Sequence, residues 1–65
     1  MDNNQITLKS ARVNAKLTLV KSAEKLGVSE KTLRNWEHGK TFPSTSFIKK
    51  IEEVYGISIA NIRFS

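Results

Sequence analysis

Apolar residues recur along this chain at intervals of three and four, in short bursts set apart by glycine, serine or threonine, and the pattern predicts five short helices. Leu8, Ala11 and Ala15 share one face of a first helix over 8–15, and Thr7 stands before it as a cap for its free amides. Lys16 and Leu17 turn the chain. Thr18 then precedes a second helix running to Leu26, with Leu19, Ala23 and Leu26 on one side and Gly27 placed to end it in the left-handed conformation. Ser29 caps a third helix, Glu30–Glu37, across whose start Val28 and Leu33 occupy hydrophobic-staple positions; Gly39 stops it. Pro43 and Ser44 restart the chain into a fourth helix whose Phe47, Ile48, Ile51, Val54 and Tyr55 form a broad apolar stripe ending at Gly56. Ser58 opens a last turn over 59–62, with Ile57 and Ile62 again at staple spacing. No segment alternates with the period of a strand. The expectation is an all-α, compact five-helix domain over residues 1–65, with a flexible N-terminus over 1–6 and a short tail over 63–65.

Length and charge narrow the class. A chain of 65 residues buries only about 60% of the surface it exposes when unfolded, so tight packing and good caps must carry its stability. Without cysteine there is neither a disulfide nor a thiolate metal site, which suits a reducing cytoplasm. The opening residues lack the basic and apolar regions of a signal peptide, and no apolar run approaches the about 20 residues that span a membrane, so a soluble, intracellular protein is expected. Eleven Lys and Arg against six Asp and Glu give a formal charge of +5. The excess lies in residues 1–40, where eight basic groups face Asp2, Glu24, Glu30 and Glu37. A basic half of this kind suits a polyanion, because neutralised phosphates release counterions.

Catalysis finds no foothold, so an enzyme is not expected and no cofactor or metal is implied. His38 stands alone before Gly39, where it serves as a helix-end partner, and one histidine without cysteine makes no zinc site. Glu52 and Glu53 are adjacent and point apart on a helix rather than forming an acid–base pair. The three glycines each fall at a helix end, not in a phosphate-binding loop.

The segment from Leu19 to Glu37 is two short helices joined by Gly27-Val28-Ser29, a turn too tight for an antiparallel hairpin, so the helices must cross steeply. That is the geometry of a helix-turn-helix, whose second helix offers its N-terminal residues to base edges. The run Leu17-Thr18-Leu19-Val20-Lys21-Ser22-Ala23-Glu24-Lys25-Leu26-Gly27-Val28-Ser29, followed by Thr32-Leu33 and Trp36-Glu37-His38-Gly39-Lys40, resembles the Cro/CI-type, or XRE-like, helix-turn-helix family. The likeness continues through Pro43-Ser44, the fourth apolar helix and Tyr55-Gly56-Ile57-Ser58, covering the chain from about Leu8 to Ile62. It implies a lambda-repressor-like five-helix fold that binds double-stranded operator DNA, commonly as a homodimer. In a phage or prophage setting the function implied is that of a Cro-like repressor in a bacterial cytoplasm.

Carried onto this sequence, the family's base-facing positions match Glu30, Lys31 and Asn35, with Arg34 beside them. Lys31 suits guanine O6 and N7, and Asn35 suits adenine N6 and N7. Glu30 either accepts from cytosine N4 or pairs with Arg34 one turn on, and the pairing is the expectation here. Backbone contacts fall to Thr18, Ser29, Thr32, Lys40 and Thr41, with Lys16 and Lys21 as further cations. Leu19 departs from the family, which often has a phosphate-touching Gln there; at this position a packing role is expected instead. Arg12 and Glu37 match a pair that ties the first helix to the end of the third, a structural role. Trp36, beside Leu33, is expected in the core rather than stacked on a base.

Two other classes compete. The same fold is similar to that of antitoxins, whose apolar surface grips a protein partner while the helix-turn-helix autoregulates a promoter. Phe42, Tyr55, Ile59, Ile62 and Phe64 gather in the C-terminal half and would form a self-association surface wherever the fold leaves them open. At 65 residues a Cro-like size is the expectation, without the separate dimerisation domain of long repressors. A membrane-surface peptide predicts exposed apolar faces and folding only with lipid.

Overall fold

The computed structural model describes residues 5–64. Chain order is β1 (Ile6–Thr7), α1 (Leu8–Asn14), α2 (Leu19–Leu26), α3 (Glu30–Glu37), α4 (Thr45–Tyr55), a 3₁₀ turn (Ile59–Asn61) and β2 (Ile62–Arg63). Among the described residues the fold is predominantly helical, with four α-helices and one 3₁₀ turn in place of the five helices expected.

Each helix begins where a hydroxyl residue can take an orphan amide. Thr7, Thr18 and Ser29 accept from Ser10, Lys21 and Thr32 N–H at 3.0, 3.1 and 3.1 Å, satisfying donors that no intrahelical carbonyl reaches. Ser44 precedes α4 but makes no side-chain cap; its hydroxyl pairs with that of Ser46. Left-handed residues end the helices. Gly27 (φ 77), Gly39 (φ 74) and Gly56 (φ 68) close α2, α3 and α4, whereas α1 closes on Lys16 at φ 63. The α1 end forms the same pair of bonds as a glycine cap, Lys16 N–H to Val13 O at 2.9 Å and Leu17 N–H to Arg12 O at 3.2 Å.

The expected last helix is shortened because its ends are recruited elsewhere. The Glu52 carboxylate accepts the Ile59 amide at 2.7 Å. Ile62 is drawn into an extended pairing, Ile6 opposite Ile62 and Thr7 opposite Arg63 in parallel register. A two-residue strand shows no alternation, which is why the hydrophobic pattern gave no sign of it. The pairing also corrects the expected flexible N-terminus over 1–6: Ile6 lies in β1 and the Gln5 side chain donates to Ala60 O at 3.1 Å. Residues 1–4 lie outside the described residues. Of the expected tail over 63–65, Arg63 belongs to β2 and Phe64 packs half-buried against the core, while Ser65 lies outside the described residues.

Every helix contributes to one core of Leu8, Ala11, Ala23, Leu26, Leu33, Trp36, Ile51, Tyr55 and Ile62. Leu33 and Ile51 are fully buried at its centre. The Trp36 ring meets Phe47 edge-on, centroids 5.3 Å apart, an arrangement the ring quadrupoles favour. Two apolar residues expected on an outer self-association surface are inside instead. Tyr55 is buried with its hydroxyl bonded to that of Ser22, and Ile62 is 4% exposed. An amphipathic ring enters a core when a partner for its hydroxyl is present, and here a second helix provides one.

Candidate nucleic-acid interface

The third helix is fixed by two faces of opposite character. Leu33 and Trp36, three residues apart, are buried in the core. Glu30, Lys31 and Arg34 are exposed and Asn35 is half-buried. Since α2 and α3 are joined only by Gly27, Val28 and Ser29, the left-handed cap at Gly27 fixes how α3 leaves α2. The Val28 amide returns to Ala23 O at 3.0 Å and the Gly27 amide to Glu24 O at 3.2 Å, the pair of bonds of a glycine cap. Leu19 packs against the core, so the position carries packing in this chain.

Among the described residues Glu30 and Arg34 form no ion pair; the pairs present are Arg12–Glu37 and Lys21–Glu24. The expected Glu30–Arg34 pairing is therefore corrected. Both side chains are exposed, and an i, i+4 pair in water is worth only about 0.3–0.5 kcal/mol, too little to hold two flexible chains together. Each charge is left to solvent or to a ligand, and Glu30 additionally complements the positive end of α3.

Hydroxyl donors around the two helix starts are set by the capping bonds. The Thr18 oxygen accepts the Lys21 amide, leaving its O–H to donate outward. Ser29 spends its own proton on Thr32 Oγ1 at 2.9 Å, which passes the outward donor to Thr32. Lys16, Lys40 and Thr41 are exposed. Lys21 is exposed as well, and meets Glu24 in a loose contact at 3.5 Å.

Arg12 braces this face from behind. Its Nε donates to Glu37 at 2.7 Å and a terminal nitrogen donates to Leu17 O at 2.9 Å, joining α1, the α1–α2 turn and the end of α3. The two side chains are only 11% and 5% exposed. Sequence reasoning named this pair, but missed the Leu17 carbonyl, the Ser22–Tyr55 bond and the Glu52 cap. Ser22 and Tyr55 lie 33 residues apart, and the Arg12 and Glu52 bonds span five and seven residues across the end of a helix, separations that match no helical or capping spacing.

A family model described as helix-turn-helix matches residues 8–62. The chain belongs to this family. It is an XRE-type, DNA-binding transcriptional regulator, and the match runs from the first turn of α1 to the start of β2. The family is one of DNA-binding regulators, not of enzymes. Neither the curated proteins nor the solved structures yield a match. Among the described residues no helix is long and apolar enough to cross a membrane, and no cluster of metal-binding side chains occurs.

Proposed function

We propose that this helix-turn-helix regulator is a sequence-specific repressor of the Cro type that occupies a twofold operator and blocks transcription. The observation that carries the reading is the outer face of α3, where Glu30, Lys31, Arg34 and Asn35 share a surface with no competing ion pair while Leu33 and Trp36 anchor the helix behind them. Lys31 and Asn35 read guanine and adenine edges; Arg34 and Glu30 stand beside them, the carboxylate accepting from cytosine N4. Thr18, Thr32, Lys40 and Thr41 hold the flanking phosphates, with Ser29 acting through Thr32 and Lys16 and Lys21 as outer cations.

The module acts as a homodimer on DNA, with its two reading helices about 34 Å apart, one turn of duplex. Ile59 and Phe64 are half-buried, but Phe42 is 61% exposed and lies in the loop after α3, so the self-association surface centres on Phe42. The deciding experiment selects duplexes from a randomised pool and measures affinity for the selected site and an unrelated one, alongside sizing of the complex. Asn35→Ala should relax preference at one base pair by about 1–3 kcal/mol, while Lys40→Ala weakens binding to selected and unrelated duplexes and lowers the salt slope by about one. Equal affinity for every duplex would overturn the reading.

A further inference from the structure

The turn that ends α3 joins two parts of the proposed site that lie apart in the chain. The side chain of Asn35 is a base reader, while its backbone carbonyl accepts from the amides of both Lys40 and Thr41, at 2.9 and 3.5 Å. These two residues hold the phosphate loop. The arrangement depends on Gly39, whose φ of 74 lets the chain double back and whose own amide bonds Trp36 O at 3.2 Å. Trp36 is in turn buried at 4% exposure against Phe47. The loop and the base reader are therefore clamped to one another, and the clamp is anchored to the core.

From this geometry we infer that Gly39 is a positioning residue that couples base reading to phosphate gripping, so that a wrong base opposite Asn35 also costs the phosphate contact of Lys40. The inference rests on the major-groove reading given above. A displacement of Asn35 that relieves a mismatch moves the carbonyl holding Lys40 and Thr41, and the loop leaves the phosphate. Discrimination then exceeds what the base contact alone supplies, and Lys40 matters more on the preferred site than on unrelated DNA.

A double-mutant cycle on the selected duplex tests this, with affinities of wild type, Asn35→Ala, Lys40→Ala and the double variant read by fluorescence anisotropy across a salt series. The expected result is that the double variant's loss falls short of the product of the two single losses by about threefold or more, the signature of coupled groups. Strictly multiplicative losses would overturn the proposal. The same cycle in a Gly39→Ala background should become multiplicative, because a side chain strains the left-handed turn. In a Gly39→Asn background it should regain its coupling, since asparagine tolerates that conformation. Full coupling in folded Gly39→Ala, checked by circular dichroism at the assay temperature, would remove Gly39 from the role. If Gly39→Ala does not fold, the wild-type cycle and the Gly39→Asn cycle decide the matter. Wild-type protein that grips all duplexes equally defeats the functional reading itself, whereas wild type that discriminates but gives a multiplicative cycle defeats only the coupling.

Discussion

Three of the four helix ends that turn left-handed do so on glycine, and the fourth does so on Lys16 at φ 63. A lysine there carries a Cβ against the following carbonyl, at a cost of roughly 1–2 kcal/mol. Replacing it with glycine removes that strain but adds back roughly 0.5–1 kcal/mol of unfolded-chain entropy. The side chain is exposed and forms no ion pair among the described residues, so the substitution removes no packing. The two backbone bonds that close α1, from Lys16 and Leu17 amides, stay available to glycine. Lys16→Gly should therefore stabilise the fold by about 1 kcal/mol, which in a domain of this size raises Tm by roughly 4–8 °C. Urea denaturation followed by circular dichroism measures the change, with an unaltered m-value showing that the unfolded state is comparable. Lys16→Ala is the control, because it removes the same charge without supplying the conformational freedom. If glycine gains no stability over both lysine and alanine, the strain argument fails. The two variants also isolate the proposed phosphate contact, since both should lower the salt slope of DNA binding equally whatever they do to stability.

The remaining predictions concern polar groups held inside or at the edge of the core. Glu37→Ala leaves the Arg12 guanidinium buried with only Leu17 O for company and should cost about 3 kcal/mol, whereas the double variant Arg12→Met/Glu37→Leu should recover most of that loss in the same melt. Burial raises the Tyr55 phenol above its ordinary value, with Glu37 adding to the rise, while the Ser22 bond and Arg12 oppose it. The sign of the linkage follows: stability from this group is complete below the unfolded value of about 10 and is lost as pH rises through the folded one. Wild type should therefore lose more stability than Tyr55→Phe as pH is raised from about 9 to about 11, followed by urea melts at each pH, and parallel alkaline limbs would contradict the assignment. Glu52→Ala frees the Ile59 amide that the carboxylate holds and should cost about 1 kcal/mol, with faster hydrogen exchange confined to the 3₁₀ turn and β2.

What the sequence made legible was local. The caps at Thr7, Thr18, Ser29 and Ser58 and the glycine stops follow from interactions within a few residues, and the structure has each of them bonded as a cap or stop. Leu33 and Trp36 in the core follow from spacing and size. Interactions that close the molecule on itself were not legible. The pairing of Ile6 with Ile62 involves two residues per strand at opposite ends of the chain, and so leaves no periodicity to detect. Tyr55 sat on an apolar stripe that pointed equally well inward or toward a partner, and only the position of Ser22 on another helix decides for the interior. Arg34 and Glu30 show the converse error. Their spacing permits a pair, but permission carries little free energy where both partners are bathed in water.

The same contrast explains why the outer face of α3, the proposed reading surface, could be assigned before any of its contacts. Two buried anchors on a helix of eight residues fix its rotation about its own axis, because residues three apart lie on one face and the opposite face must then look outward. Leu33 and Trp36 thus determine that Lys31, Arg34 and Glu30 are presented, without any of those polar residues having to hold itself in place. Orientation in depth is a separate matter, and it comes from the two ends of α3: the left-handed turn at Gly27 sets the entry and the clamp at Gly39 sets the exit. On the proposed reading, specificity in so small a fold is therefore a property of the core and the turns as much as of the four side chains assigned to the duplex. If that reading holds, exchanging those four residues should change the preferred site while the anchors that aim them stay constant.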